Sequence, residues 1–135
     1  MIVSRERAAI SGPADVAKHL RKLLNKEDSI SRDKEHFWVI VLNTRNRIKF
    51  VELVSLGTLN SSLVHAREVY RRAIKAGASS LILAHSHPSG DSEPSEADIS
   101  LTRQLFEAGR IIGIDVVDHI IIGHNTLSMK EKGLL

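Results

Sequence analysis

The sequence predicts an α/β fold with a mixed central β-sheet flanked by helices, and three observations lead there. Segments with a 3.6-residue and a two-residue hydrophobic period follow one another as helix, strand, strand, helix, strand, helix, strand, strand. The run Ser80-Leu81-Ile82-Leu83-Ala84 is apolar on both alternating faces, as expected of a central strand covered on two sides. The 135 residues, 42% hydrophobic and 26% charged, suffice for one well-developed core but not two, so residues 1–135 are expected to form a single domain.

The first element is a helix over about 13–26. Val16, Leu20, Leu23 and Leu24 recur at i, i+4, i+7 and i+8, Ser11 or Gly12 could cap it, and Pro13 suits its first turn. The segment from Glu27 to Glu35 is polar and charged. His36 to Leu42 is rich in aromatic and β-branched residues and reads as a strand, Asn43 to Asn46 as a hairpin turn, and Arg47 to Val54 as the returning strand. A period of two puts Ile48, Phe50, Glu52 and Val54 on one face of that strand, which leaves the Glu52 carboxylate among apolar side chains. Burial of such a group costs several kcal/mol unless it is paired, hydrogen-bonded or protonated, so Glu52 needs either a role or a local arginine.

A second helix is expected to reach about Ala76, capped by Ser61 or Ser62, with Ala66, Val69, Tyr70, Ala73 and Ile74 inward and Gly77 as its stop. Arg67, Arg71 and Lys75 lie on its outer face, the usual pattern of a solvated surface. After the central strand, Ser95 opens a helix with Leu101, Leu105 and Ala108 inward and Gly109 at its end. Ile111 to Asp115 and Val116 to Ile122 supply one or two strands, Gly123-His124-Asn125 a turn, and Thr126 to Met129 a short last strand.

Composition excludes several classes. No apolar run approaches the roughly 18 residues of a membrane helix, and the first residues lack the basic-then-apolar order of a secretory signal, so a cytoplasmic protein is expected. The absence of cysteine excludes disulfides and thiolate-ligated metals. The net charge of +3 permits contact with nucleic acid without requiring it.

The stretch from His85 to Asp98 carries the chemistry. His85 and His87, two apart at a strand end, point the same way, and Asp98 in the first turn of the next helix completes two imidazoles and a carboxylate, a set that suits zinc. Three protein ligands leave a fourth position for water, as in catalytic zinc sites, and a bound water of pKa about 7 is a nucleophile at neutral pH. Glu52, otherwise unexplained on its apolar face, is the candidate proton acceptor, and the Ser95 hydroxyl is the candidate oxyanion donor. The same residues have plainer readings. Ser95 and Asp98 could be only the N-cap and third residue of a helix, and Pro88-Ser89-Gly90-Asp91 is ordinary turn chemistry. Asp118-His119 could support the ligands from behind or be ordinary core, and His19, His36, His65 and His124 carry no case.

His85-Ser-His87, seven residues, Ser95, two residues, Asp98 resembles the JAMM (MPN+) motif of zinc metalloproteases and of isopeptidases that remove ubiquitin-like modifiers. Gly57-Thr58-Leu59-Asn60-Ser61-Ser62, Ala84 to Asp91, Glu93-Pro94-Ser95 and Asp118-His119-Ile120-Ile121-Ile122-Gly123 look like the bacterial RadC family, a resemblance covering nearly all the chain from about Pro13. It implies a JAMM/MPN-like, cytidine-deaminase-like three-layer architecture. It also implies His85, His87 and Asp98 as zinc ligands, Ser95 as the assisting hydroxyl and Glu52 as general acid/base. The family's glutamate lies at a variable distance upstream, and Glu68 is the reserve. RadC proteins were named for DNA repair, a disputed role, and the helix-hairpin-helix region of longer members is not in this sequence.

Two functions compete. One is a zinc-dependent peptidase or isopeptidase acting on a peptide or protein substrate. The other is a module of DNA repair or of mobile elements, with a structural or vestigial metal site and DNA bound through Arg67, Arg71, Arg72 and Lys75. A zinc nucleobase deaminase would need His-x-Glu and a Pro-Cys-x-x-Cys pair, and neither is present.

Overall fold

The computed structural model describes residues 1–57 and 64–135. In chain order the elements are β1 (Ile2–Ser4), α1 (Pro13–Leu24), α2 (Ser29–Arg32), β2 (Glu35–Leu42), β3 (Ile48–Gly57), α3 (Ala66–Lys75), β4 (Ser80–Ser86), α4 (Glu96–Ile112), β5 (Asp115–Ile122) and β6 (Thr126–Ser128). The strands form one mixed sheet in the order β1-β3-β2-β4-β5-β6, in which β4 and β5 are parallel and every other neighbouring pair is antiparallel. Because α4 links the one parallel pair, it must cross over a face of the sheet.

Alternation along the strands divides the core in two. Phe37, Val39, Val41, Phe50, Leu81 and Leu83 face Val69, Tyr70 and Ala73 of α3 and Leu101 and Leu105 of α4. Trp38, Ile40, Leu42, Ile82, Ala84 and Ile120 face Val16, Ala17 and Leu20 of α1. The result is the mixed α/β sandwich that the hydrophobic pattern predicts, with the continuous apolar run of β4 buried from Ser80 through Ser86 because helices cover both its faces.

The differences from expectation have local causes. β1 and the one-turn helix α2 were not expected: three residues are too few to show a period, and α2 is held by Asp28, whose side chain accepts from Ser31 N. Gly12 is the N-cap of α1, with Pro13 in the first turn, and the helix stops at Leu24, before the expected Lys26. Ile48 leaves the face of Phe50 for the opposite core, because the register between β2 and β3 shifts between Val41 and Leu42. The helix expected from Ser61 or Ser62 begins at Ala66, with His65 as N-cap, and both serines lie outside the described residues. Ile74, expected inward, is 55% exposed near the end of α3.

Gly109 does not end α4. The helix runs on to Ile112 and stops at Gly113, which takes the left-handed conformation at φ 87°. Gly109 is small for another reason: a Cβ there would fall on the Tyr70 hydroxyl and the Ile114 carbonyl, where α3 and β5 press against α4. Ile111 and Ile112 are therefore helical, and β5 begins only at Asp115. Among the described residues no helix is long and apolar enough to cross a membrane.

Candidate metal centre

The site forms where β4 ends. Phe37 of β2 and Ile121 of β5 pair with His85 on either side, leaving its imidazole fully buried. His87 lies just past the strand, its backbone N–H donating to Ile122 O at 2.8 Å, so it remains in line with His85 and on the same face. Asp98 occupies the third position of α4, and Ser95 is the N-cap. The capping box is complete: Ser95 Oγ accepts from Asp98 N at 3.0 Å, and Asp98 Oδ2 accepts from Ser95 N at 2.9 Å. The helix-start reading and the ligand reading of Asp98 thus hold together, because the same Oδ2 also lies 3.4 Å from His85 Nε2 and 3.3 Å from His87 Nε2.

These three side chains offer ligand atoms that all lie within 4.8 Å of one another and could hold a metal ion. In a tetrahedral zinc site with bonds of about 2.0–2.1 Å, neighbouring ligand atoms are about 3.3 Å apart. Both Asp98 separations match, and the 2.7 Å between the two Nε2 atoms would have to open slightly. His87 Nδ1 donates to Asp91 O at 2.7 Å, which leaves a lone pair on Nε2 aimed at the cluster. The donor set of two imidazoles and one carboxylate therefore fits a divalent ion of borderline softness.

The electrostatics agree. Burial would raise the Asp98 carboxyl, but the imidazoles of His85 and His87 and the Ser95 N–H outweigh it and hold Asp98 well below the usual carboxylate range. His87 is pushed up, chiefly by Asp98, against the opposing effect of burial, with Asp91 O and the charge of Glu35 adding to the rise. The carboxylate and the histidines thus create a place for positive charge, whether a proton or a metal ion.

The turn after His87 is braced from the β5–β6 turn. Gly90 adopts φ 90°, and its carbonyl accepts from His124 N at 2.7 Å. A Cβ on Gly90 would fall on the His124 ring, and one on Gly123 would fall on Gly90 O. His124, which carried no case in the sequence, helps to fix the loop that presents Asp91 O to His87.

In front of the cluster lies a cavity of about 300 Å³ whose walls include Glu35, His87, Asp91, Glu93, Ser95 and Asp98. Glu52 is not among them. It lies on the expected face, 5% exposed, but opposite Val39, which itself pairs with Leu83 rather than His85. Two strand spacings, about 10 Å, separate it from β4. Its Oε2 makes an ion pair with Nε of Arg72 on α3 that lacks hydrogen-bond geometry. Glu52 and Glu68 share a separate cavity of about 90 Å³ with Met1 and Arg72, and Glu68 pairs with Arg71. The structure thus brings His85, His87, Asp98 and Ser95 together and leaves both sequence-nominated glutamates elsewhere.

Glu35, which the sequence reading left in a polar linker, stands at the site instead. It is the first residue of β2, and the antiparallel pairing of Phe37 with His85, carried two residues outward, sets Glu35 against His87. Strand parity was the signal available: Glu35, Phe37 and Val39 share a face, and Glu35 is its one carboxylate. His119, for which the sequence left both a supporting and a core role open, also stands beside the cluster. It is fully buried on β5, with Nε2 2.7 Å from His85 Nδ1, so it packs directly behind the cluster.

Comparison with known proteins places this geometry. The family model described as the RadC-like JAB domain matches residues 10–134. A UPF0758 protein of Desulforudis audaxviator is 61% identical over 103 residues, covering 76% of this chain and 45% of the relative. UPF0758 proteins of Desulforamulus reducens and Rubrobacter xylanophilus are 52% and 50% identical over 130 and 129 residues, each match covering 96% of this chain and 55% of the relative. The chain spans about half the length of the curated relatives it matches. With a family match across almost all of its length and a sheet that gathers the His-x-His and Asp of the motif at one strand end, the chain belongs to the RadC-like JAB domain family.

Proposed function

We propose that the chain is a zinc-dependent hydrolase of peptide or isopeptide bonds, with His85, His87 and Asp98 as the metal ligands. The observation that carries this reading is the convergence of three ligand atoms beside a cavity whose walls include His87 and Asp98 together with Glu35 and Ser95. A zinc ion held there would supply Lewis acidity and a water of pKa about 7. The protein supplies the rest. Glu35, rather than Glu52 or Glu68, takes the proton from the nucleophile and returns it to the leaving amine, because of the two glutamates that line the cavity, Glu35 and Glu93, it is the one whose charge acts on His87. Ser95 Oγ accepts from Asp98 N, so its own proton is free to donate to the oxygen of a tetrahedral intermediate. Ala97 and Leu101 add an apolar wall for substrate.

The nucleic-acid reading finds less support. The cavity walls carry Glu35, Asp91, Glu93 and Asp98 and no lysine or arginine, a surface that repels phosphate. Of the four cations proposed to bind DNA, Arg71 and Arg72 are engaged by Glu68 and Glu52.

The decisive experiment compares Glu35→Gln with Glu52→Gln on a peptide library, with metal content measured on the same samples. Wild type should bind about one zinc per chain. Glu35→Gln should keep the zinc and lose about 10²–10⁴-fold in turnover, while Glu52→Gln keeps both. Absence of zinc binding by the wild type would sink the hydrolase reading, and an active Glu35→Gln would remove Glu35 from it.

A further inference from the structure

Asp98 is tied to the candidate metal cluster twice, directly through its carboxylate and indirectly through its backbone carbonyl. One helical turn on, Thr102 is fully buried, and its Oγ1 donates to Asp98 O at 2.7 Å. The hydroxyl has a single proton, so toward its other neighbour, His119 Nδ1 at 2.5 Å, the oxygen can only accept. His119 must then carry its proton on Nδ1. The neutral ring has a bare Nε2, which at 2.7 Å can only accept from His85 Nδ1. His85 is thereby held with its proton on Nδ1 and its lone pair on Nε2, the atom that faces His87 and Asp98. Each proton in this buried chain is used once and in one direction.

The packing fixes the rings as well as the protons. Phe37 stacks on His85 with centroids 6.3 Å apart and meets His119 edge-on at 5.7 Å. The backbone of His119 is pinned from the other side of the sheet, where Asp118 Oδ1 accepts from His119 N at 2.7 Å and from Lys130 N at 3.0 Å.

We propose that Thr102 and His119 are positioning residues of the metal centre, a relay that starts at the Asp98 carbonyl and fixes the tautomer and orientation of His85. The ring of contacts closes on itself: Asp98 sets Thr102, Thr102 sets His119, His119 sets His85, and His85 and Asp98 meet at the ion. Reversal of the hydrogen bonds would place a proton on His85 Nε2 and close the site to metal. The Asp98 carbonyl opposes that reversal by engaging the Thr102 proton. The inference rests on the metal-ligand reading of His85 and Asp98.

Zinc affinity, measured by competition with a chromophoric chelator on wild type, Thr102→Val, Thr102→Ser, His119→Leu and His119→Gln, tests it without reference to activity. Thr102→Val and His119→Leu should weaken zinc binding about 10–100-fold. Thr102→Ser retains the hydroxyl and His119→Gln retains an acceptor for His85 Nδ1, so both should stay within about threefold of wild type. A merely structural role would instead lower the melting temperature of the metal-free variants and leave zinc affinity unchanged. If the wild type binds zinc and both disruptive variants bind it equally well, the relay is overturned while the site stands. If the wild type binds none, the site falls and the relay with it. Should the disruptive variants fail to fold, ¹⁵N shifts of His85 in metal-free wild type decide: a protonated Nδ1 supports the relay, and a protonated Nε2 overturns it.

Discussion

Two buried polar groups on the same face of one sheet have opposite fates. Glu52 on β3 is almost fully buried, and the charge it would leave there is answered by Arg72 arriving from the half-exposed edge of α3. His85 at the end of β4 is buried as deeply and His87 just beyond it is half-buried, yet their lone pairs and the Asp98 oxygen face one another. The first arrangement is closed by a partner within the chain. The second is completed only by a positive charge from outside. Burial of a polar side chain marks neither structure nor function by itself; what separates the two is whether the protein supplies the counter-charge.

The largest effect that would break this contrast concerns the ion. His87→Ala should weaken zinc binding by about 100-fold or more, because two ligands cannot hold the ion as three do. Glu52→Gln should leave it within about twofold. Calorimetric titration checks both, and parallel losses would mean that the two regions are one site. The next effect is on stability. Arg72→Met strands the Glu52 carboxylate, which in a deeply buried pair would cost 3–5 kcal/mol; with the Arg72 side chain 51% exposed, about 2 kcal/mol is expected. The double variant Arg72→Met/Glu52→Gln should recover most of that loss in urea unfolding. An undiminished single variant would show that solvent, not arginine, satisfies Glu52.

Tyr70 provides the mildest comparison, a buried polar group that the chain satisfies while neutral. Its hydroxyl donates to Leu105 O at 2.8 Å, and burial, with a smaller contribution from Asp115, pushes its pKa up to about 12. The folded protein therefore favours the protonated phenol. Its contribution to stability is full below about pH 10, where the unfolded chain starts to ionise. It is lost as the pH rises towards 12. Tyr70 is the only tyrosine, so an absorbance titration reads it alone. Tyr70→Phe should flatten this part of the stability profile, and an ordinary titration near 10 would refute the shift.

The sequence made the prospective ligands legible because their spacing is local: His85 and His87 share a strand end, and Asp98 is fixed by a helix cap three residues after Ser95. The central strands and the three longer helices were legible from their periods, and Gly109 misled because a close-packing glycine and a helix-ending glycine look alike in one dimension. The carboxylate that lines the cavity beside His87 was obscured for a different reason. Glu52 was noticed because it stood among apolar residues, whereas Glu35 stood beside polar ones and drew no notice. Which glutamate meets His87 depends on the pairing of β2 with β4 across 40-odd residues, and that register is a tertiary fact. The two roles left open for His119 were undecided likewise, since its partners Thr102 and His85 come from two other elements.

The double core has a consequence for any metal bound at this rim. In a zinc finger the ion supplies the folding energy, and stripping it unfolds the chain. Here apolar side chains pack on both faces of the six-stranded sheet, and the prospective ligands span only residues 85–98 at one rim. A chelator should therefore empty the site and leave a folded vessel, ready to be refilled. On the proposed reading, metal supply then switches the chemistry on and off over a scaffold that persists through both states.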